Sequence, residues 1–202
     1  FAAVRDMVSW LKFGGKVTGA PLPESRLPRA YSFGVSQSGR FLRTALYYGF
    51  NRDEKDRKVF DGILADVAGG GRGSFNTRFG QASRDSNPFA NTLTPVDIFP
   101  FTDLEETDPE TGLKDGLLTH SLAGEFWPKI FYMNSEYEYY GRAASLIHIT
   151  LDGTKDAPLA PDTRIYMFSG GQHGPAAFPP VRRGTQNLPN PNPYTMTFRA
   201  LF

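Results

Sequence analysis

The run from Ala30 to Arg43 constrains this chain more than any other. Ala30-Tyr-Ser-Phe-Gly-Val35 is apolar and aromatic, as a buried strand is, and it meets Ser36 with no spacer. Gln37-Ser-Gly-Arg-Phe-Leu-Arg43 follows with the spacing of a helix. A chain that turns so sharply from strand to helix brings two backbones together. The residues around the turn must be small, and the serine at its apex is pushed outward in a strained conformation. Gly34 stands two residues before Ser36, and Ser38 stands two after it. Ser38 is the poorer apex, because Arg40 would then occupy the tight position. The competing reading of Gly-Val-Ser-Gln-Ser-Gly is an ordinary helix N-cap, for which serine is favoured.

The rest of the chain decides between the two readings. A nucleophilic serine on such a turn is followed along the chain by an acid and then by a histidine. The only histidines are His120, His148 and His173. His173 follows the apolar stretch Thr163–Ser169 within Gly170-Gly-Gln-His-Gly-Pro175, a flexible approach that lets an imidazole reach across strand ends. His148 sits in apolar Ser-Leu-Ile-His-Ile and reads as a packed histidine, while His120 lies in a polar segment. Glu136 and Glu138, just past the stretch Lys129–Asn134, are both candidates for the acid that orients the imidazole. Asp66 is their rival, and it reads as lying within a strand rather than at its end.

Between these landmarks the pattern alternates helix and strand. Val4, Met7, Val8 and Leu11 predict a helix over 2–13, closed by Gly14-Gly15. A Pro/Gly-rich connector runs from Gly19 to Pro28. Strands are predicted near 30–35, 59–68, 129–134 and 163–169, and helices near 37–50, 141–149 and 194–202. Asn51 to Lys58 reads as a charged, exposed turn, and 185–193 as coil. Strands joined by helices or long connections rather than hairpins predict an α/β fold with a mostly parallel sheet. Residues 72–127 are polar with little periodicity and read as a long lid-like insertion.

Composition narrows the chemistry. The 202 residues fit one domain, and a net charge of +1 gives no footprint for nucleic acid. No apolar run is long enough to span a bilayer. Zero cysteines exclude thiolate metal sites, disulfides and cysteine nucleophiles. Gly69-Gly-Gly-Arg-Gly lacks the Gly-Lys-Ser/Thr ending of a phosphate loop, and the acidic stretch after Asp103 lacks the spacing of a calcium loop. No cofactor and no metal are expected. Arg72, Asn76 and Arg78, on the loop after the second strand, and Tyr139 are candidates for contact with a small-molecule substrate.

Together these segments resemble a bacterial group of α/β-hydrolases. The resemblance is carried by Gly34-Val-Ser-Gln-Ser-Gly-Arg-Phe-Leu-Arg43, Phe60-Asp-Gly, Gly70-Gly-Arg-Gly-Ser-Phe-Asn76, Arg78-Phe79, Glu138-Tyr-Tyr-Gly-Arg142, Ala144-Ser-Leu146 and Gln172-His-Gly174. It implies a serine hydrolase cleaving carboxylic esters, with Ser36, Glu138 and His173 as its triad; the Glu-Tyr-aromatic-x-Arg pattern selects Glu138 over Glu136. The backbone N–H of Gln37 is the expected first oxyanion donor. The resemblance also implies that four strands precede the elbow strand. Residues 1–202 are therefore expected to be one domain fragment of a protein roughly twice as long, with an exposed elbow-strand edge and the end of the last helix missing. The alternative expectation is a non-catalytic binding or structural module, or a fragment inactive without its N-terminal half.

Overall fold

The computed structural model describes residues 1–14, 16–17, 20–21, 27–73, 75, 97–182, 184 and 188–201. Helix α1 spans Ala2–Phe13 and is followed by the short antiparallel pair β1 (Lys16–Val17) and β2 (Ala20–Pro21). Strand β3 (Tyr31–Val35) runs through Ser36 into α2 (Gln37–Tyr47), and β4 (Gly62–Asp66) follows. A small hairpin, β5 (Glu106–Thr107) and β6 (Lys114–Asp115), precedes β7 (Lys129–Ser135). Helix α3 (Glu136–Gly141), strand β8 (Thr163–Phe168) and helix α4 (Tyr194–Leu201) complete the order.

Among the described residues the main sheet is four-stranded and parallel, in the order β3-β4-β7-β8. Every strand therefore delivers its C-terminal end to the same edge, where α/β folds assemble their sites. The two central strands are buried on both faces, so they read as continuous apolar runs. Ile63 and Ala65 of β4 and Ile130 and Tyr132 of β7 face α2 and the 117–126 segment. Leu64 and Met133 alternate to the other face and pack on Tyr194 and Phe198 of α4. Strand β3 is an edge among the described residues, with Tyr31, Phe33 and Val35 exposed, Phe33 at 61%.

Three local expectations change. The second strand is shorter than predicted, ending at Asp66. The helix predicted at 141–149 is a 3-10 turn at Ala144–Ile147, and the α-helix lies earlier, directly after β7. The turn at 51–58 is not wholly exposed. Asn51 is buried, taking the Phe60 N–H at 2.7 Å and donating to the carbonyls of Phe60 (2.9 Å) and Phe126 (2.7 Å).

Helix α1 docks on the same turn at Asp53 and Lys58. It presents Val4, Met7 and Leu11 to solvent and docks through its polar side. Ser9 Oγ donates to Asp53 Oδ2 at 2.5 Å, and Lys12 Nζ donates to Asp61 Oδ2 (2.6 Å) and to the carbonyls of Lys58 and Val59. Burial pushes both carboxyls up, but these bonds outweigh it, together with Arg57 and the Lys55 N–H on Asp53 and the Ala30 N–H on Asp61: Asp53 is lowered to about 2 and Asp61 lies below the usual carboxylate range.

Of the insertion, residues 72–73, 75 and 97–127 are described, and the 117–126 segment packs into the body. Leu117, Leu118, Leu122 and Phe126 belong to the main core. Arg43, fully buried on α2, donates through Nη2 to Gly70 O (2.8 Å) and Phe101 O (2.7 Å) and lies 4.7 Å from the Tyr132 ring centre. Asp103 accepts the hydroxyls of Tyr132 and Thr163 at 2.7 Å, and burial raises its carboxyl.

The turn itself depends on two glycines. A Cβ at Gly34 would stand 2.6 Å from Ser38 O, and one at Gly39 would stand 2.8 Å from Ala68 Cβ and 3.0 Å from Gly34 O. Gly34→Ala should therefore destabilise the protein by about 1–3 kcal/mol, read as a lower urea midpoint. Unchanged stability would show that this approach is not tight.

Candidate active site

Ser36 has φ 55° and ψ −115°, a left-handed conformation that side chains rarely adopt. The surrounding backbone imposes it. The Ser36 N–H donates to Asp66 O at 2.8 Å, extending the β3–β4 ladder by one bond, and Ser36 O accepts the Arg40 N–H at 3.0 Å inside α2. The helix backbone meets Gly34 at Ser38, the expected second small position, and Gly39 beside it has no room for a Cβ either. Ser38 has another task. Its hydroxyl accepts the Val35 N–H (2.9 Å) and donates to Val35 O (2.8 Å), bracing the turn. Gln37 opens α2, where backbone N–H groups have no partner within the helix.

The two glutamates after β7 are separated by the helix they begin. Glu138, third residue of α3, is 1% exposed. Its Oε2 takes the Ser135 N–H at 3.0 Å, a capping-box contact, and the Ser135 hydroxyl. Its Oε1 lies 2.5 Å from His173 Nδ1. Glu136 instead accepts the Gly170 N–H and anchors the loop that carries the histidine.

That loop is held from several sides. Gly170 adopts φ 69°, which glycine permits at no steric cost. Asn190 Nδ2 donates to Gly170 O (2.6 Å), and the Tyr194 hydroxyl donates to Gln172 O (3.0 Å). His173 is half-exposed and meets the Tyr137 ring edge-on at 5.9 Å. With Nδ1 on Glu138, Nε2 is the ring nitrogen that this carboxylate does not engage. Among the described residues no hydrogen bond joins His173 to Ser36. Both follow the C-terminal ends of parallel strands, and His173 lines a cavity of about 540 Å³ with Val35, Asp66 and α4.

The other candidates are spread more widely. Arg72 Nη2 donates to Phe99 O at 2.5 Å, and its guanidinium lies 3.6 Å from the Tyr47 ring centre. The Tyr139 hydroxyl shares a hydrogen bond with His148 Nε2 at 3.2 Å. Asn76 and Arg78 lie outside the described residues. His120 stacks on Tyr47, with Nδ1 3.6 Å from Asp115 Oδ1. Asp66, expected within its strand, is the last residue of β4 and reaches the cavity. Its position two residues before Ala68-Gly-Gly-Gly71, where the apolar run closes, was the available signal. Among the described residues no cluster of three His, Asp or Glu side chains is set to hold a metal ion. No described helix is long and apolar enough to cross a membrane.

A parallel sheet whose edge strand turns through a strained residue into a helix is the core of a partial α/β-hydrolase fold. A family model described as an alpha/beta hydrolase domain matches residues 1–199, and the chain belongs to that family. The chain has no significant match among curated proteins or among solved structures.

Ser135→Ala removes one of the two donors on Glu138 Oε2 at a fully buried position. It should cost about 1–3 kcal/mol, seen as a lower urea midpoint with an unchanged slope. No shift would mean that the hydroxyl does not help hold the carboxylate.

Proposed function

We propose that the protein is a serine hydrolase acting on small carboxylic esters through Ser36, His173 and Glu138. The observation that carries this reading is the 2.5 Å contact between His173 Nδ1 and the buried Glu138, at the strand ends where the strained Ser36 also lies. A carboxylate on Nδ1 fixes the tautomer with Nε2 basic and stabilises the imidazolium.

His173 Nε2 takes the Ser36 proton as Oγ attacks the ester carbonyl, forming a tetrahedral oxyanion. The Gln37 N–H, at the positive end of α2, is one donor to that oxyanion. The imidazolium then protonates the leaving alcohol, and an acyl-enzyme on Ser36 remains. Water, deprotonated by His173, releases the carboxylic acid and restores the serine. Active-site hydrogen bonds are often long without substrate, so the missing Ser36–His173 bond is compatible with this route. That missing bond is also what favours the rival reading, a non-catalytic module that keeps the fold.

A fluorophosphonate probe separates the two. It should label the protein on Ser36, and Ser36→Ala should abolish labelling. Folded protein that stays unlabelled would sink the catalytic reading. Glu138→Gln should slow ester hydrolysis on the order of 10⁴-fold, as for a triad carboxylate, and Glu136→Gln far less. The reverse order would assign the acid to Glu136.

A further inference from the structure

The site contains a carboxylate that the triad does not use. Asp66 ends β4, the strand between the elbow strand and β7. Its carbonyl holds the Ser36 N–H, and its side chain lines the cavity that His173 also lines. Oδ1 is shielded from solvent and has no hydrogen-bond partner among the described residues, an arrangement that a purely structural position avoids. Val67 beside it is a β-branched residue at φ 42°, and such strain gathers at functional sites.

The groups around it come from three elements. Glu138 on α3 and His173 on the loop after β8 both act electrostatically on Asp66. On α4, Tyr194 is pushed up to about 12 by burial and by the charges of Asp66 and Glu138, and Arg199 lines the same cavity. Strand β3 contributes only Phe33 and Val35 to that cavity.

We propose that Asp66 is a positioning residue for the proposed hydrolysis: when ionised, it adds a second negative charge to that of Glu138 and stabilises the His173 imidazolium formed as Ser36 gives up its proton. The inference rests on the triad reading above. Glu138 is engaged by Ser135 on one oxygen and by His173 on the other. Asp66 supplies a charge that pH controls. Burial, and then the Glu138 charge, raise its carboxyl from 3.8 to about 6, with His173 pulling the other way.

Two opposite consequences share one pH window. A carboxyl raised on folding binds its proton more tightly in the folded state. Its ionisation therefore costs stability, increasingly from pH 3.8 and fully above about 6, and costs nothing below 3.8, where both states are protonated. The charge that disfavours the fold is the one that assists the imidazolium, a trade expected of a functional residue.

The test compares wild type with Asp66→Asn, which keeps the shape and removes the charge. Rates of labelling by an uncharged fluorophosphonate and melting temperatures are measured from pH 4 to pH 9. At pH 8 the variant should label about tenfold more slowly, the size of one pKa unit of interaction, and should melt higher than wild type. At pH 5 the labelling rates should converge, and by pH 4 the melting temperatures should too. A rate ratio that is the same at pH 5 and pH 8, or a variant less stable than wild type at pH 8, overturns the proposal. Wild-type protein that labels at no pH overturns the triad reading, and this inference with it.

Discussion

The close approach of two backbones at Gly34 and Gly39 is the constraint on which the rest of the structure depends. With no Cβ at either position, β3 and α2 come near enough for the chain to reverse from strand to helix within one residue. Ser36 then has no relaxed conformation available and sits at positive φ. Its N–H remains tied to β4 through Asp66 O, and the Ser38 hydroxyl closes the turn behind it. Such strain persists only where the surroundings over-determine it. Here the sheet ladder, the helix and two steric contacts all do so.

The parallel sheet converts that local turn into a site. Four strands end at one edge, so Ser36, Asp66, the Ser135–Glu138 unit and the His173 loop are gathered along that edge although more than one hundred residues separate the first from the last. The polar groups behind them are built in two layers. Arg43, Asp103 and Tyr132 join α2, the insertion and the sheet from within. Ser9 and Lys12 dock α1 on the outside through Asp53 and Asp61. Glu136 and Glu138 divide their labour in the same way, one holding the loop and the other the imidazole.

Much of this was legible in the order of residues. The apolar run into Ser36, the glycine two before it and the loop around His173 predicted the turn and the strand ends, because period and glycine placement are local properties. The shortfalls share one physical cause. Helical spacing at Val4, Met7 and Leu11 predicted the helix but carried no information on its docking face, because partners distant in sequence turn Ser9 and Lys12 inward. The second steric contact, Gly39 against Ala68, was not foreseen beside Ser38, because Ala68 lies far along the chain. Asp66 was read inside its strand because an apolar run does not mark where a ladder stops.

By itself the sequence determined an α/β chain with a strained serine turn, and the linear order of a serine, an acid and a histidine. It left Glu136 and Glu138 equivalent until the family pattern was considered, and it ranked Asp66 as an also-ran. Tertiary structure alone decided that Glu138 is buried on His173, that Glu136 binds Gly170, and that Asp66 shares the cavity. The reason is reach. Helix and strand periodicity act over a few residues, whereas the separation of two glutamates two positions apart depends on where α3 begins and on a loop that returns from β8.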